Sequence, residues 1–283
     1  MIPAFQTLWS LPFFARHPGK PFAVEDFELL TTILSAMEWR KHNGSIRMYG
    51  DQTACDYYRK LGLDILWDDG LYPILDQVIP EHVSPDCFWA AGKLYALADM
   101  PAPCVMIDTD FIVWKPLEPD IRYDALAVIH REAVHNEVYP DISQLKTQCR
   151  FYPHGPDWDA EACNTALSYF RDPDFKDYYT RHAIGFMEHS PEADDPLTYM
   201  VFAEQRMLAL CAHACGTPIH ALSTLPELFS PAQKKFTHTW GFKQQMRDDP
   251  RLRQVFCRDC LARIAQDFPD LLPLAQSLVS IPG

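Results

Sequence analysis

Short apolar runs alternate along this chain with longer stretches whose apolar residues recur every three or four positions. Residues 5–10 read as a first strand and 12–21 as a loop. Over 24–41, Phe27, Leu30, Ile33, Leu34 and Met37 share one helical face, with Glu25 and Asp26 at its start and Asn43-Gly44 at its end. A second strand follows at 46–49, a helix at 53–61 closed by Gly62, and a third short strand at 64–67. Residues 84–98 read as a helix with Phe88, Ala91, Leu94, Tyr95 and Ala98 inward. Strands are expected at 105–107, 125–130, 162–169 and 219–222, and helices at 174–187 and 198–215, the latter stopped by Gly216. From Asp248 on the pattern is helical. Strands alternating with helices predict an α/β fold with a mostly parallel central sheet, and such sheets gather ligands at the carboxyl ends of their strands.

One strand ends in chemistry. The run Cys104-Val105-Met106-Ile107 climbs into Asp108-Thr109-Asp110 and turns apolar again at Phe111-Ile112-Val113. Carboxylates are seldom buried unless paired or metal-bound. In an extended segment residues i and i+2 point to one side, so Asp108 and Asp110 are expected to converge. Two like charges that close call for a cation. The plainer reading is a solvated turn, which the apolar flanks on both sides argue against.

Composition bounds the partners. With 283 residues, 48% of them hydrophobic, the chain can bury a sizeable core. Its 25 basic and 38 acidic side chains leave a net charge of −13, against broad nucleic-acid binding. No apolar stretch reaches the roughly 18 residues of a membrane span. The apolar N-terminus lacks a basic n-region and reads as a core strand, not a signal peptide. Nine scattered cysteines fit a reducing, cytoplasmic setting. A zinc site from Cys211, Cys215, Cys257 and Cys260 is weighed against four ordinary core cysteines, the commoner case.

At this point the motifs resemble a known family. Asp108-Thr109-Asp110 after its apolar strand looks like the DXD motif of GT-A fold glycosyltransferases. The helix ahead of it, Phe88-Trp89-Ala90-Ala91-Gly92-Lys93-Leu94-Tyr95, is similar to the one lining the sugar-nucleotide site in that family. Ala162-Cys163-Asn164-Thr165-Ala166-Leu167 resembles the strand facing the donor sugar, and Ala203-Glu204-Gln205 the acidic-Gln element of a later helix. His238-Thr239-Trp240-Gly241-Phe242-Lys243 resembles the late HxxGxK element. The order of these elements matches as well, from about Phe5 to Lys243. Ala166 stands where many relatives have Gly, and Glu204 where many have Asp.

The resemblance implies a GT-A-like catalytic domain over 1–245, with a nucleotide-binding half and an acceptor-side half, and a packed helical extension over 246–283. It implies transfer of a sugar from a nucleoside-diphosphate donor, such as a UDP-sugar, to a hydroxyl of a saccharide or glycoconjugate. Mn²⁺ or Mg²⁺ would be held by Asp108, Asp110 and His238, with Asp108 reaching metal or ribose. Lys93, Gly241 and Lys243 would meet phosphate, and Asn164, Glu204 and Gln205 the sugars. From position alone, Trp9 and Ser10 fall near base and ribose, and Asp51 near the base. Asp195 stands in a loop where a base could deprotonate the acceptor. The bland readings are a surface lysine at Lys93, a turn-capping Asn164 and a first-turn Glu204. Two alternatives remain beside the transferase: a haloacid-dehalogenase-like phosphohydrolase with Asp108 as nucleophile and Asp110 as general acid, and a non-catalytic sugar-nucleotide-binding protein.

Overall fold

A computed structural model describes residues 1–134, 138–139, 145, 153–190 and 196–279. Nine strands are present among the described residues: β1 (Ala4–Leu8), β2 (Ile46–Gly50), β3 (Leu71–Pro73), β4 (Cys104–Ile107), β5 (Phe111–Val113), β6 (Leu126–Glu132), β7 (Ala162–Phe170), β8 (Ile219–Ala221) and β9 (Phe236–His238). Seven form one sheet in the order β3-β2-β1-β4-β7-β6-β8. Only β7 runs against its neighbours, pairing antiparallel with β4 and β6. The other pairings in this sheet are parallel. Strands β5 and β9 form a separate antiparallel ribbon that sets Phe111 opposite His238.

The sheet divides two cores, and strand alternation assigns each side chain. Along β4, Cys104 and Met106 enter one core while Val105 and Ile107 enter the other. The first core is closed by the helices Ala91–Asp99, Pro173–Glu188 and Met207–Cys215. The second is closed by the helix Asp26–His42, against which the helix Pro250–Asp267 packs through Cys257, Cys260 and Ile264. Cys211 therefore lies in one core and Cys257 and Cys260 in the other, while Cys215 is exposed. The four cysteines do not meet, and no zinc site forms from them. Among the described residues no helix is long and apolar enough to cross a membrane.

Several expected boundaries shift for local reasons. The third strand is Leu71–Pro73, while 64–66 form a 3₁₀ turn. The apolar pattern at 64–67 comes from Leu66 and Trp67 entering the second core from that turn. The predicted loop after β1 contains a short helix, Leu11–Arg16, with Pro12 in its first turn. The helix read over 84–98 begins only at Ala91, after a run of turns. The helix read over 198–215 starts at Pro196, passes through a π-helical segment at Phe202–Arg206 and ends on Gly216, whose φ of 63° is the left-handed cap.

Candidate active site

The acidic pair sits where β4 turns back into β5. Asp108 and Asp110 converge through this turn, and the alternation expected of an extended strand is not the cause. The amide of Phe111 donates to the Asp108 carbonyl at 3.1 Å and closes it, while the Asp108 amide is tied to Ala166 of β7 at 2.8 Å. A buried polar chain supports the turn from below. Trp67 Nε1 donates to Gln6 Oε1 (2.9 Å), Gln6 Nε2 to Ser35 Oγ (2.8 Å), and Ser35 Oγ to the Phe111 carbonyl (2.6 Å). Each polar group in the chain is satisfied, the condition for burying it at low cost.

Pairing of β5 with β9 brings His238 beside the aspartates. Ligand-capable atoms of Asp108, Asp110 and His238 all lie within 4.8 Å of one another, and among the described residues no other such His/Cys/Asp/Glu group occurs. His238 Nε2 is 4.0 Å from Asp110 Oδ1, and its Nδ1 is buried with no hydrogen-bond partner. Its ring meets Phe111 edge-on and Trp240 face-on. Burial pushes the imidazole down to about 4, so it is neutral and its lone pair is free at pH 7.

Each aspartate is paired with a lysine, and each lysine with a glutamate. Lys93 Nζ lies 2.8 Å from Asp108 Oδ1 and also contacts Glu204 Oε1. Lys243 Nζ lies 3.0 Å from Asp110 Oδ2 and 3.1 Å from Glu28 Oε1. Burial opposes the charge on both ammoniums, yet the paired carboxylates outweigh it and hold both above the ordinary lysine value. Burial pushes the Asp108 carboxyl up to about 6, against the pull of Lys93. Burial penalises the Asp110 carboxylate too, but Lys243, with His238 once it is protonated in acid, brings it below the usual carboxylate value. Four carboxylates surround the two ammoniums, with Arg247 Nη2 a further 3.8 Å from Glu28, so carboxylates outnumber the cations of the group and leave it net negative, which suits a divalent cation.

The π-helical segment aims Glu204. Tyr179 Oη donates to the Glu204 carbonyl at 2.7 Å, and the side chain turns toward Lys93. A cavity of about 550 Å³ opens over the group; it is lined by Trp9, Lys93, Asp108, Asp110, Asn164, Glu204, Gln205, His238 and Lys243 among others. Nine of the residues expected from sequence thus share one cavity. Asn164 Nδ2 donates to Glu132 Oε1 (3.1 Å), and Gln205 Oε1 accepts from Tyr139 Oη (2.6 Å). Gly241 stands between Trp240 and Lys243 but does not line the cavity. Ser10 and Asp51 also lie outside the lining; Asp51 caps the helix Gln52–Lys60 through Ala54 N (2.8 Å). Asp195 lies outside the described residues. Sequence reasoning missed Glu28, Ser35 and Gln6. Glu28 stands 80 or more positions from the acidic pair, and no local spacing marks it.

The model of one protein family, described as a family of unknown function (DUF6734), matches residues 4–247. No curated protein matches the chain. Among solved structures, the apo form of mouse xyloside xylosyltransferase 1 is similar at a TM-score of 0.39 and 9% identity, over 78% of this chain and 85% of that one. The apo structure of WbbM, a bifunctional glycosyltransferase, is similar at a TM-score of 0.39 and 11% identity, over 78% of this chain and 46% of that one. This chain therefore spans about half the length of WbbM. Overlap this loose transfers no activity.

Proposed function

The chain belongs to the DUF6734 family, whose function is unknown, and we propose that it is a metal-dependent glycosyltransferase. It would move a sugar from a nucleoside-diphosphate donor, a UDP-sugar foremost, to a hydroxyl of a saccharide or glycoconjugate. The observation that carries this reading is the Asp108–Asp110–His238 group at the carboxyl end of β4, on the wall of a cavity large enough for a sugar nucleotide. Hard carboxylate oxygens with one imidazole fit Mn²⁺, and Mg²⁺ less well. The neutral imidazole, whose Nε2 lies 4.0 Å from Asp110, and the net negative charge around the pair favour the same occupant. A divalent ion there supplies Lewis-acid stabilisation of the charge that develops on a leaving diphosphate.

The chain's own groups divide the remaining work. Asp110 and His238 hold the ion, with Asp108 on the ion or the donor ribose. Lys93 and Lys243 bring positive charge to the diphosphate as point donors. Asn164, Glu204 and Gln205 face the sugar, and Trp9 contributes an apolar wall. Residues 1–245 act as the catalytic unit, with 246–283 as its helical extension.

The phosphohydrolase alternative has less support. It asks for a free nucleophile at Asp108, whose Oδ1 is occupied by Lys93. It also asks for the motif on a first strand, and here three parallel strands precede it. A thermal-shift experiment decides the matter. UDP with Mn²⁺ raises the melting temperature, UDP or Mn²⁺ alone raises it less, and Asp110→Ala removes the joint effect. An equal shift in Asp110→Ala, or turnover of an aryl phosphate that Asp108→Asn abolishes, overturns the transferase reading.

A further inference from the structure

The two lysines beside the acidic pair stand in equivalent arrangements. Asp108–Lys93–Glu204 and Asp110–Lys243–Glu28 are both chains of carboxylate, ammonium and second carboxylate. The four partners come from four separate elements: Lys93 from the helix Ala91–Asp99, Glu204 from the π segment, Glu28 from the helix Asp26–His42, and Lys243 from the start of the helix Lys243–Asp248. One carboxylate per lysine would suffice to neutralise it. The second has a different consequence: an ammonium displaced from its aspartate still has a partner.

We propose that Glu28 and Glu204 are positioning residues that receive Lys243 and Lys93 when a divalent cation takes Asp110 and Asp108. The inference rests on the reading of Asp108, Asp110 and His238 as a metal site, and goes on from it to the order in which charges move. Without the second carboxylates, a cation could enter only by expelling two buried ammoniums with nothing to pair them, a costly state. With them, two positive charges arrive, both lysines stay protonated, and no buried charge is left alone. The lysines end beside the cation, within the same cavity and facing the place a diphosphate would occupy. No proton or electron is exchanged in this step.

Two other regions carry less. The neighbouring cavity around Arg247 and Arg253 has both guanidiniums already paired with Glu25 and Asp26. The exposed side chains of Phe229, Trp240 and Phe242 leave open what covers them.

The test reads each lysine directly. Purified full-length chain is reductively methylated with and without saturating Mn²⁺, no nucleotide being present, and modification at Lys93 and Lys243 is read by mass spectrometry. Uptake of the ion is followed in parallel by electron paramagnetic resonance of free Mn²⁺. In the wild type both lysines stay protected in both states. In Glu28→Gln, Lys243 stays protected without Mn²⁺ because Asp110 still holds it, and Mn²⁺ raises its labelling about threefold, ~0.7 kcal/mol. Lys93 stays protected in that variant and serves as internal control; Glu204→Gln reverses the two roles. Glu28→Ala gives the same result by truncation. Equal protection of Lys243 with and without Mn²⁺ in both Glu28 variants, while the wild type binds the ion, overturns the exchange and leaves the metal site standing. No Mn²⁺ uptake by the wild type overturns both.

Discussion

Asp51 accepts two hydrogen bonds from Ser10 through one oxygen, from its amide at 2.7 Å and its hydroxyl at 2.6 Å. Its other oxygen accepts from Ala54 N at 2.8 Å, and the residue is 1% exposed. This carboxylate ties the end of β1 to the first turn of the helix after β2. Its position after a parallel strand suggests a contact with a nucleotide base, and in the fold it serves as a helix cap and a strand clamp.

Asp51→Ala is therefore expected to act on stability before binding. Loss of a cap costs ~1 kcal/mol, and leaving the Ser10 groups unpaired adds about 1–3 kcal/mol. Urea denaturation should show the combined loss as a lower midpoint at unchanged slope. Nucleoside-diphosphate affinity in the presence of Mn²⁺ should change less than about threefold, below 0.7 kcal/mol. A stable variant that no longer binds the nucleotide would instead assign Asp51 to the base.

Glu38 provides a pH test far from the cavity. It is fully buried in the helix Asp26–His42, with His42 Nε2 at 3.3 Å, Lys41 and Arg263 at 3.7 and 3.9 Å, and the Asp267 carboxyl beside it. Burial pushes its carboxyl up to about 7 from 4.5. Between these values the folded chain holds a proton that the unfolded chain has released. Stability from this group is thus full below pH 4.5 and lost as pH rises through 7, to at most about 3 kcal/mol. His42, lowered by burial, acts oppositely: its contribution is lost as pH falls below 6.5. Thermal melts across pH 5–8 should show a decline that Glu38→Gln flattens, with the variant the more stable at pH 8. An unchanged slope in the variant would mean that Glu38 is ionised in the folded chain throughout.

The contrast between Asp51 and Glu28 shows how far the sequence reaches. The strands β1, β2, β4, β6, β7 and β8 carry apolar runs whose period survives tertiary packing, and each lies close to where the pattern puts it. Strand β3 is three residues ending in proline, too short to show a period. Lys93, Asp108, Asp110, His238 and Lys243 were legible because motif spacing ties them to neighbouring glycines and strands. Glu28 was not, since its role arises only when the helix Asp26–His42 crosses the start of the helix Lys243–Asp248. Ser35 was hidden for the same reason: a serine inside an apolar helix face shows nothing of the carbonyl it meets at 2.6 Å.

His238 is expected to decide which ion is preferred. Mn²⁺ accepts an imidazole nitrogen more readily than the harder Mg²⁺ does, whereas carboxylates serve both. His238→Ala should weaken Mn²⁺ binding by about tenfold or more, ~1.4 kcal/mol, and Mg²⁺ binding much less. Competition between the two ions, followed through the resonance of free Mn²⁺, measures the ratio directly. An unchanged Mn²⁺/Mg²⁺ preference in the variant would remove His238 from the metal site and leave it as a packing partner of Phe111.

Gly241 separates the demands of the fold from those of a ligand. A Cβ built at this position meets nothing within 4 Å, and its backbone has no positive φ. The fold alone therefore accepts alanine there, and the melting temperature of unliganded Gly241→Ala should stay within about 2 °C of wild type, since surface substitutions cost under roughly 0.5 kcal/mol. Phosphate is another matter: glycine lets the backbone approach an anion closely, and a methyl group at that spot intrudes between them. Gly241 lies between two residues that line the cavity, Trp240 and Lys243, so a diphosphate held by Lys243 meets this turn; the dissociation constant for UDP with Mn²⁺ should then rise by about tenfold, ~1.4 kcal/mol, while uptake of Mn²⁺ alone is unchanged. Equal UDP affinity in the variant would show that the segment Trp240–Phe242 stays clear of the diphosphate, and would leave Lys243 as the contribution of this turn.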